Sequence, residues 1–296
     1  MTRPRGDDAA AEIGGSPGIF GRLRAAGLLP RKVLGQHFLH DPRLLGAIVE
    51  DAGVTASDSV LEVGAGPGTL TREIAMRAGR VLAVDLDGAL LDFARRELAG
   101  FDNIRFLNGD VLERGRGLSP LLLAELKPLE PFLWVSNLPY NIATTLIVCV
   151  CESGLRWERS ALTVQSEVAN RLAAGPGEKA YGQVSALLSF WARASAGRKI
   201  PPGAFWPPPR VQSRVVLIER RESPLGAPEE YGAYRAWVKT LFASRRKQVQ
   251  TVLRRLVGEA GAQGFLSKLP DPRARAESLG PADFLSLARH FPAFSR

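Results

Sequence analysis

The chain has 296 residues, 45% hydrophobic and 23% charged, enough for one large domain plus a smaller one and too apolar for wholesale disorder. Its net charge of +9 is uneven: residues 1–192 carry 20 basic and 22 acidic groups, residues 193–296 carry 19 and 8. No apolar run approaches the ~20 residues of a membrane span, the N-terminus has acids but no apolar signal core, and two cysteines one residue apart beside three histidines make neither a disulfide framework nor a zinc site.

A cytoplasmic protein with reduced, buried thiols, no metal and no membrane is therefore expected. The basic last third points to a polyanion held there, although a solvated basic face gives the same count.

Residues 1–30, rich in Gly, Pro and Ala at their start, read as a flexible tail. Ser59–Gly64 is a short β-rich run ending in glycines, and Thr69–Ala78 follows as a helix. Arg80–Asp85 is a second strand, with a helix over Gly88–Ala99. Ile104–Leu107 is a third, ending at Asn108-Gly-Asp110. Phe132–Ser136 is a fourth, followed by an apolar helix over Ile142–Cys151. Leu162–Gln165 is a fifth, with helices to about Arg193. This alternation predicts βαβ units and a mostly parallel sheet, an α/β fold. Ile200–Pro209 holds five prolines in ten residues and is neither helix nor central strand. One more strand follows at Val215–Ile218, and from Glu229 the pattern is helical. A boundary is expected between Glu222 and Pro228.

The loop Gly64-Ala-Gly66-Pro-Gly68 lies between a strand and a helix, where glycines admit a ligand close to the backbone and free N–H groups face it. Asp85 ends the next strand, 21 residues on, and can accept from the ribose hydroxyls of an adenosine cofactor. A dinucleotide fold shares both features. Two details separate the cases. The glycine spacing is G-x-G-x-G, and Asp110 ends a further strand, where it can accept from an adenine amine. Acids at three successive strand ends (Glu62, Asp85, Asp110) suit a cofactor with adenosine, an amine and a sulfonium but no phosphate, which describes S-adenosylmethionine. Turn-forming aspartates are the plainer alternative.

Asn137-Leu138-Pro139-Tyr140 follows the fourth strand and resembles the Asp/Asn/Ser-x-Pro-aromatic motif of amino-methyltransferases. Adenine N6 is a poor nucleophile because its lone pair is delocalised into the ring. The Asn137 oxygen and Leu138 carbonyl can accept its two hydrogens and turn the lone pair out of conjugation. Pro139 fixes the backbone carrying that carbonyl. Tyr140 can stack on a base withdrawn from its RNA context.

Further segments narrow the resemblance. Leu34-Gly-Gln-His37-Phe-Leu39, Gln165-Ser-Glu-Val-Ala-Asn-Arg171-Leu172, Lys179-Ala-Tyr-Gly182, Ala204-Phe205-Trp-Pro-Pro-Pro-Arg-Val-Gln-Ser213 and Phe242-Ala-Ser-Arg245-Arg246-Lys247 occur in order. Together with the Asn137–Tyr140 motif they resemble the KsgA/Dim-type rRNA adenine N6-dimethyltransferases over residues 31–290.

That resemblance implies a class I S-adenosylmethionine-dependent catalytic domain over 31–222 and a small helical, basic C-terminal domain over 229–296. It implies dimethylation of two adjacent adenines in a loop near the 3′ end of small-subunit rRNA, on RNA or an immature 30S particle, by a monomer. Implied cofactor contacts are His37, Leu39, Gly64, Gly66, Asp85, Asp110 and Asn137. Asn137, Leu138, Pro139 and Tyr140 frame the target base, with Phe205 completing the stack. Arg245, Arg246 and Lys247 are expected to begin a helix that also carries Arg254 and Arg255, all five facing rRNA phosphates. His37 stands where Asn is usual, Asp85 where Glu is commoner and Ser166 where Lys is common.

The rivals are a resistance-type enzyme acting on large-subunit 23S rRNA, a non-enzymatic rRNA-binding assembly factor of the same fold, and an NAD-dependent dehydrogenase. The last lacks a His/Arg hydride-transfer set.

Overall fold

The computed structural model describes residues 18–113, 117–267, 269, 271 and 273–292. In chain order the elements are α1 (Ile19–Ala25), β1 (Phe38–Leu39), α2 (Pro42–Asp51), β2 (Ser59–Val63), α3 (Thr69–Ala75), β3 (Arg80–Asp85), α4 (Gly88–Glu97), β4 (Ile104–Asn108), β5 (Leu112–Glu113), β6 (Gly117–Leu118), α5 (Pro120–Leu126), β7 (Phe132–Asn137), α6 (Ala143–Glu152), β8 (Trp157–Gln165), α7 (Ser166–Ala173), α8 (Gln183–Trp191), β9 (Ala192–Ile200), β10 (Phe205–Trp206), β11 (Ser213–Arg220), α9 (Tyr231–Ala243), α10 (Val249–Leu266) and α11 (Pro281–His290).

Seven strands form one sheet in the order β4-β3-β2-β7-β8-β11-β9. Neighbours from β4 to β8 run parallel, while β11 is antiparallel to both β8 and β9. The chain winds outward from β2 in one direction and from β7 in the other, so the crevice between their carboxyl ends is the topological switch point, where such sheets bind ligands. The inner strands are buried on both faces and read as nearly continuous apolar runs. Alternate side chains serve two cores: Leu61, Val63, Leu82 and Val84 face α5 and α6, whereas Val60, Val81 and Ala83 face α2 and α3. α2 is set by Asp41, whose carboxylate accepts from the Arg43 and Leu44 N–H groups, with Pro42 leading the helix.

Two expectations need correction. Of the expected tail, residues 1–17 lie outside the described residues, but residues 18–30 do not behave as a tail. Helix α1 buries Phe20 and Leu23 against Phe38, Leu90 and Phe93, and Arg22 pairs with Glu97 at 2.6 Å. Leu23→Ala should lower unfolding stability by about 2–4 kcal/mol in denaturant titration, the cost of truncating a closed apolar site; a tail would give no change.

The chain passes from sheet to helices after Arg220, and the core of the helical layer extends onto α8. Tyr234, Trp237, Phe265 and Phe284 pack with Tyr181, Ala186, Leu187 and Phe190 from around α8, and the Tyr234 hydroxyl donates to the Ala186 carbonyl at 2.6 Å. Within the basic last third, Arg193, Arg198, Lys199, Arg214 and Arg220 stand on β9 and β11 of the sheet.

Finally, Arg245, Arg246 and Lys247 do not begin a helix. They form the turn between α9 and α10, and α10 is itself kinked at Gly258 (φ +77°).

Candidate active site

The carboxyl ends of β2, β3, β4 and β7 close around a cleft at the switch point of the sheet. His37, Val63, Gly64, Asp85, Leu86, Gly109, Asp110, Asn137, Leu138, Pro139 and Tyr140 are among the residues that line it.

The glycine loop lets two strand ends meet. Gly64 has φ +79°, and a Cβ there would lie 3.0 Å from Pro139 Cδ and 3.3 Å from the Asn137 carbonyl oxygen. Gly66 has φ +54°, and its Cβ would touch the Phe38 ring at 3.0 Å. Larger residues would strain the backbone and part these walls. Buried Ser136 fastens the same junction, its hydroxyl accepting from the Val63 N–H at 2.8 Å and from Trp134 Nε1 at 2.9 Å.

Asn137 is oriented by its own amide. Its Nδ2 donates to the His37 carbonyl at 2.8 Å, and a carbonyl can only accept, so the side-chain oxygen must point the other way. That oxygen, Oδ1, is buried and has no hydrogen-bond partner among the described residues. The next residue offers a second acceptor. The Leu138 N–H is used by the Thr163 carbonyl at 3.1 Å, while no described group donates to the Leu138 carbonyl. Two acceptors therefore stand on consecutive residues, and a buried acceptor left empty is costly unless a ligand supplies the donor.

The acids are arranged differently. Asp85 is engaged with its surroundings: Oδ2 accepts from the Gly66 N–H at 2.7 Å and Oδ1 from the Asp87 N–H at 2.8 Å. Burial nonetheless holds its pKa above the ordinary value, with those two N–H groups opposing. Asp110 is exposed at the cleft and accepts from the Leu112 N–H at 2.9 Å. Glu62 is buried just before the glycine loop, with Oε2 unpartnered. Desolvation pushes its carboxyl up to about 8, the Thr71 hydroxyl offsets this only in part, and nearby Asp85 adds to it.

Tyr140 is half-buried, its hydroxyl shares a hydrogen bond with Ser213 Oγ at 2.5 Å, and its ring stacks with His37, centroids 5.6 Å apart and 24° between planes. The His37 ring is itself tied to the Pro207 carbonyl at 2.7 Å. Burial raises the Tyr140 pKa, with Ser213 opposing.

Three expected residues stay out of the cleft. Phe205 is 2% exposed, paired through β10 with Leu39 of β1 and packed in the apolar core against α2 and α3, so its ring does not complete a stack here. Leu39 is buried in that core, its carbonyl accepting from the Thr69 hydroxyl at 2.8 Å. Gly66 serves the loop and Asp85 rather than the wall. Conversely, Gln36 has a part that its place in the Leu34–Leu39 motif does not announce. Its amide bridges the Arg31 N–H at 2.7 Å and buried Asp87 at 3.3 Å, locking the loop before β1 to the start of α4. Exposed Leu86 on the wall follows the strand-ending Asp85, and that position is its one signal in the sequence.

In the basic turn, Arg245 pairs with Glu277 at 2.6 Å and Arg254 with Glu259 at 3.0 Å. Arg246, Lys247 and Arg255 are exposed and make no ion pair with another described residue. Cys149 and Cys151 are both buried and form no disulfide with each other. Among the described residues no helix is long and apolar enough to cross a membrane.

A sheet of this order, with one antiparallel strand, a glycine loop after β2 and the Asn-Leu-Pro-Tyr turn after β7, defines a class I methyltransferase. A model of the ribosomal RNA adenine dimethylase family matches residues 28–292, and the chain belongs to that family. Among its relatives are the ribosomal RNA small subunit methyltransferases A of Rubrobacter xylanophilus, 39% identical over 93% of this chain and 98% of that one, and of Magnetococcus marinus, 38% identical over 91% and 96%. Among solved structures, a dimethyladenosine transferase from Plasmodium falciparum superposes with TM-score 0.73 at 22% identity over 87% of this chain and 98% of that one, which bears on the fold alone. The 23S rRNA methyltransferase ErmE superposes at 0.67 with 25% identity over 86% and 99%.

Proposed function

We propose that this chain transfers methyl groups from S-adenosylmethionine to N6 of two adjacent adenines in a loop near the 3′ end of small-subunit rRNA, as a cytoplasmic monomer acting during 30S assembly. The observation that carries the reading is the pair of acceptors at Asn137 Oδ1 and the Leu138 carbonyl, on consecutive residues at the wall of the cleft. A primary or monomethylated amine is the donor that such a pair fits.

The site also fits the cofactor. Gly64 brings the backbone to the cleft wall, Asp85 and Asp110 supply acceptors at two strand ends, and the Glu62 carboxyl is buried beneath the loop. Gly64, Asp85 and Asp110 would hold the cofactor, with His37 beside them. When bound, S-adenosylmethionine supplies an electrophilic methyl group.

The work of the protein is alignment. Asn137 Oδ1 and the Leu138 carbonyl accept the N6 hydrogens, which turns the nitrogen lone pair out of conjugation and toward the cleft. Pro139 holds that carbonyl in place, and Tyr140 offers a ring face to the base. As positive charge grows on nitrogen, both acceptors strengthen, which favours the transition state over the ground state. The alkylated amine is acidic enough to release its proton without a dedicated base.

Small-subunit rather than large-subunit rRNA is supported by the names and 38–39% identities of those two curated relatives, against 25% for the 23S enzyme. Labelled S-adenosylmethionine offered with undermethylated 30S particles and with 23S rRNA separates the two. Dimethyladenine in the 30S particles is expected, and label only in 23S rRNA would overturn the proposal.

The exposed cations of the α9–α10 turn and of α10 fit a phosphate backbone. Replacing Arg246, Lys247 and Arg255 by Gln should flatten the salt dependence of rRNA binding by about 2 to 3 in log–log slope, at about 0.7–0.9 for each phosphate no longer neutralised. Arg245→Gln should change the slope less, because Glu277 already balances that charge. Filter binding across a salt series checks both.

A further inference from the structure

Tyr140 is placed by its own strand, but its ring is fixed from elsewhere. Ser213 opens β11 with its Cα in register with Gln165 of β8 and Ile200 of β9, and it is completely buried. Its backbone is thus clamped between two neighbours, and its hydroxyl sits 2.5 Å from the Tyr140 hydroxyl. The His37 ring stacks on Tyr140, and the Pro207 carbonyl fixes that ring through Nδ1 at 2.7 Å. Pro207 lies in the proline-rich segment and Ser213 four residues after its end, so one stretch of chain grips the aromatic ring at its tip and, through His37, on its face. The carbonyl of the same His37 receives the Asn137 amide. The angle between the N6 acceptor and the aromatic face is therefore set across the sheet.

We propose that Ser213 is a positioning residue for methyl transfer: its hydroxyl pins the Tyr140 ring at the angle that brings the target base onto the Asn137 and Leu138 acceptors. This rests on the target-base role proposed for Tyr140. Ser213 acts through that ring and touches neither base nor cofactor. Losing it frees the ring to rotate and tilt, so bound bases are misaligned more of the time, and the loss falls on turnover rather than on cofactor affinity.

The test is a double-mutant cycle on Ser213→Ala and Tyr140→Phe, assayed with undermethylated 30S particles. It reads kcat and KM, S-adenosylmethionine affinity by calorimetry, and thermal stability. Each single variant removes one half of the same hydroxyl pair. Each should lower kcat roughly three- to tenfold, the range of one net hydrogen bond, with cofactor affinity within twofold of wild type. The double variant should be no slower than the slower single. Tyr140→Phe alters no strand of the sheet, so it gives an answer even where Ser213→Ala folds poorly.

Wild-type kcat in either single variant, effects that multiply in the double, or a loss confined to cofactor affinity or to stability would each overturn the proposal. Tyr140→Ala distinguishes the underlying reading. Turnover retained in that variant means that Tyr140 is no platform, whatever Ser213 does. Turnover lost there, with Ser213→Ala fully active, sinks only the positioning inference.

Discussion

Asn137→Ala should cut turnover about 10²- to 10³-fold, the scale seen when one preorganised hydrogen-bonding group is removed from a transition state, while rRNA binding stays near wild type. The reasoning starts from the unpartnered Oδ1. No described protein group donates to this buried oxygen, so it is available to a ligand N–H. The cationic nitrogen of the transition state donates to it more strongly than the neutral amine does, so the loss appears in kcat. Single-turnover methylation of 30S particles and parallel filter binding measure the two quantities, and near-normal turnover in the variant would refute the assignment.

Asn137→Asp sharpens the test. Aspartate keeps acceptor oxygens toward the substrate but replaces the Nδ2 donor, setting a carboxylate oxygen against the His37 carbonyl, where the native amide makes a 2.8 Å bond. Two acceptors facing each other repel. The loop from Leu34 to Phe38 should then shift, and the Asp variant should lose cofactor affinity as well as kcat. Ala removes both partners and leaves the carbonyl merely unpaired. An Ala variant impaired chiefly in kcat beside an Asp variant impaired in both would separate the acceptor function of this residue from its bracing function.

What the sequence disclosed about this site follows from where the residues sit. Gly64, Asp85, Asp110 and Asn137 each end or follow a parallel strand, and those strands are apolar runs of five or six residues that local pattern reveals. Alternating strands and helices then bring their carboxyl ends together without further information. The pieces that local pattern could not disclose depend on strand order. By pattern alone β9 resembles the tail of a helix and the start of a proline-rich loop. Its sequence Ala-Arg-Ala-Ser-Ala-Gly-Arg-Lys-Ile is small and basic because it lies at the sheet edge, where one ladder is unpaired and cations discourage further pairing. Inserting β11 between β8 and β9 is what carries Ser213 to Tyr140. Phe205 eludes local pattern for a related reason. Its burial comes from the pairing of β10 with β1, two-residue strands from distant parts of the chain, and no periodicity within either segment marks it. α1 illustrates the opposite error: a glycine- and proline-rich approach hides a helix whose Phe20 and Leu23 find a core on α4.

Glu62→Gln should make the free protein more stable in mild alkali and a poorer binder of S-adenosylmethionine. The Glu62 carboxyl titrates near the ordinary 4.5 in the unfolded chain but at about 8 in the folded one, because burial strips water from the carboxylate. Below the unfolded value both states hold the proton and the protein is at its best. Between the two values the unfolded chain ionises while the folded one does not, so stability falls as pH rises. Above about 8 the folded chain carries the buried charge and the penalty is complete, on the order of 5 kcal/mol at about 1.4 kcal/mol per unit of displacement. Glutamine keeps the shape and never ionises, so wild type and variant should unfold alike near pH 5 and diverge by a few kcal/mol at pH 8.5, the variant being the more stable. Cofactor binding should run the other way. A cationic ligand in the cleft favours ionised Glu62 and draws off its proton, so wild-type affinity should rise between pH 6.5 and 8.5. Buried Asp85, also held above its ordinary value, would add to the rise from lower pH and remain in the variant. The difference between the two profiles therefore isolates Glu62. Calorimetric titrations in buffers of different ionisation enthalpy read the released proton directly. Equal affinity and equal proton release in the two proteins would mean that this acid is a structural burden without a ligand to justify it. A variant that gains stability while losing affinity would identify the buried charge as one kept for the cofactor.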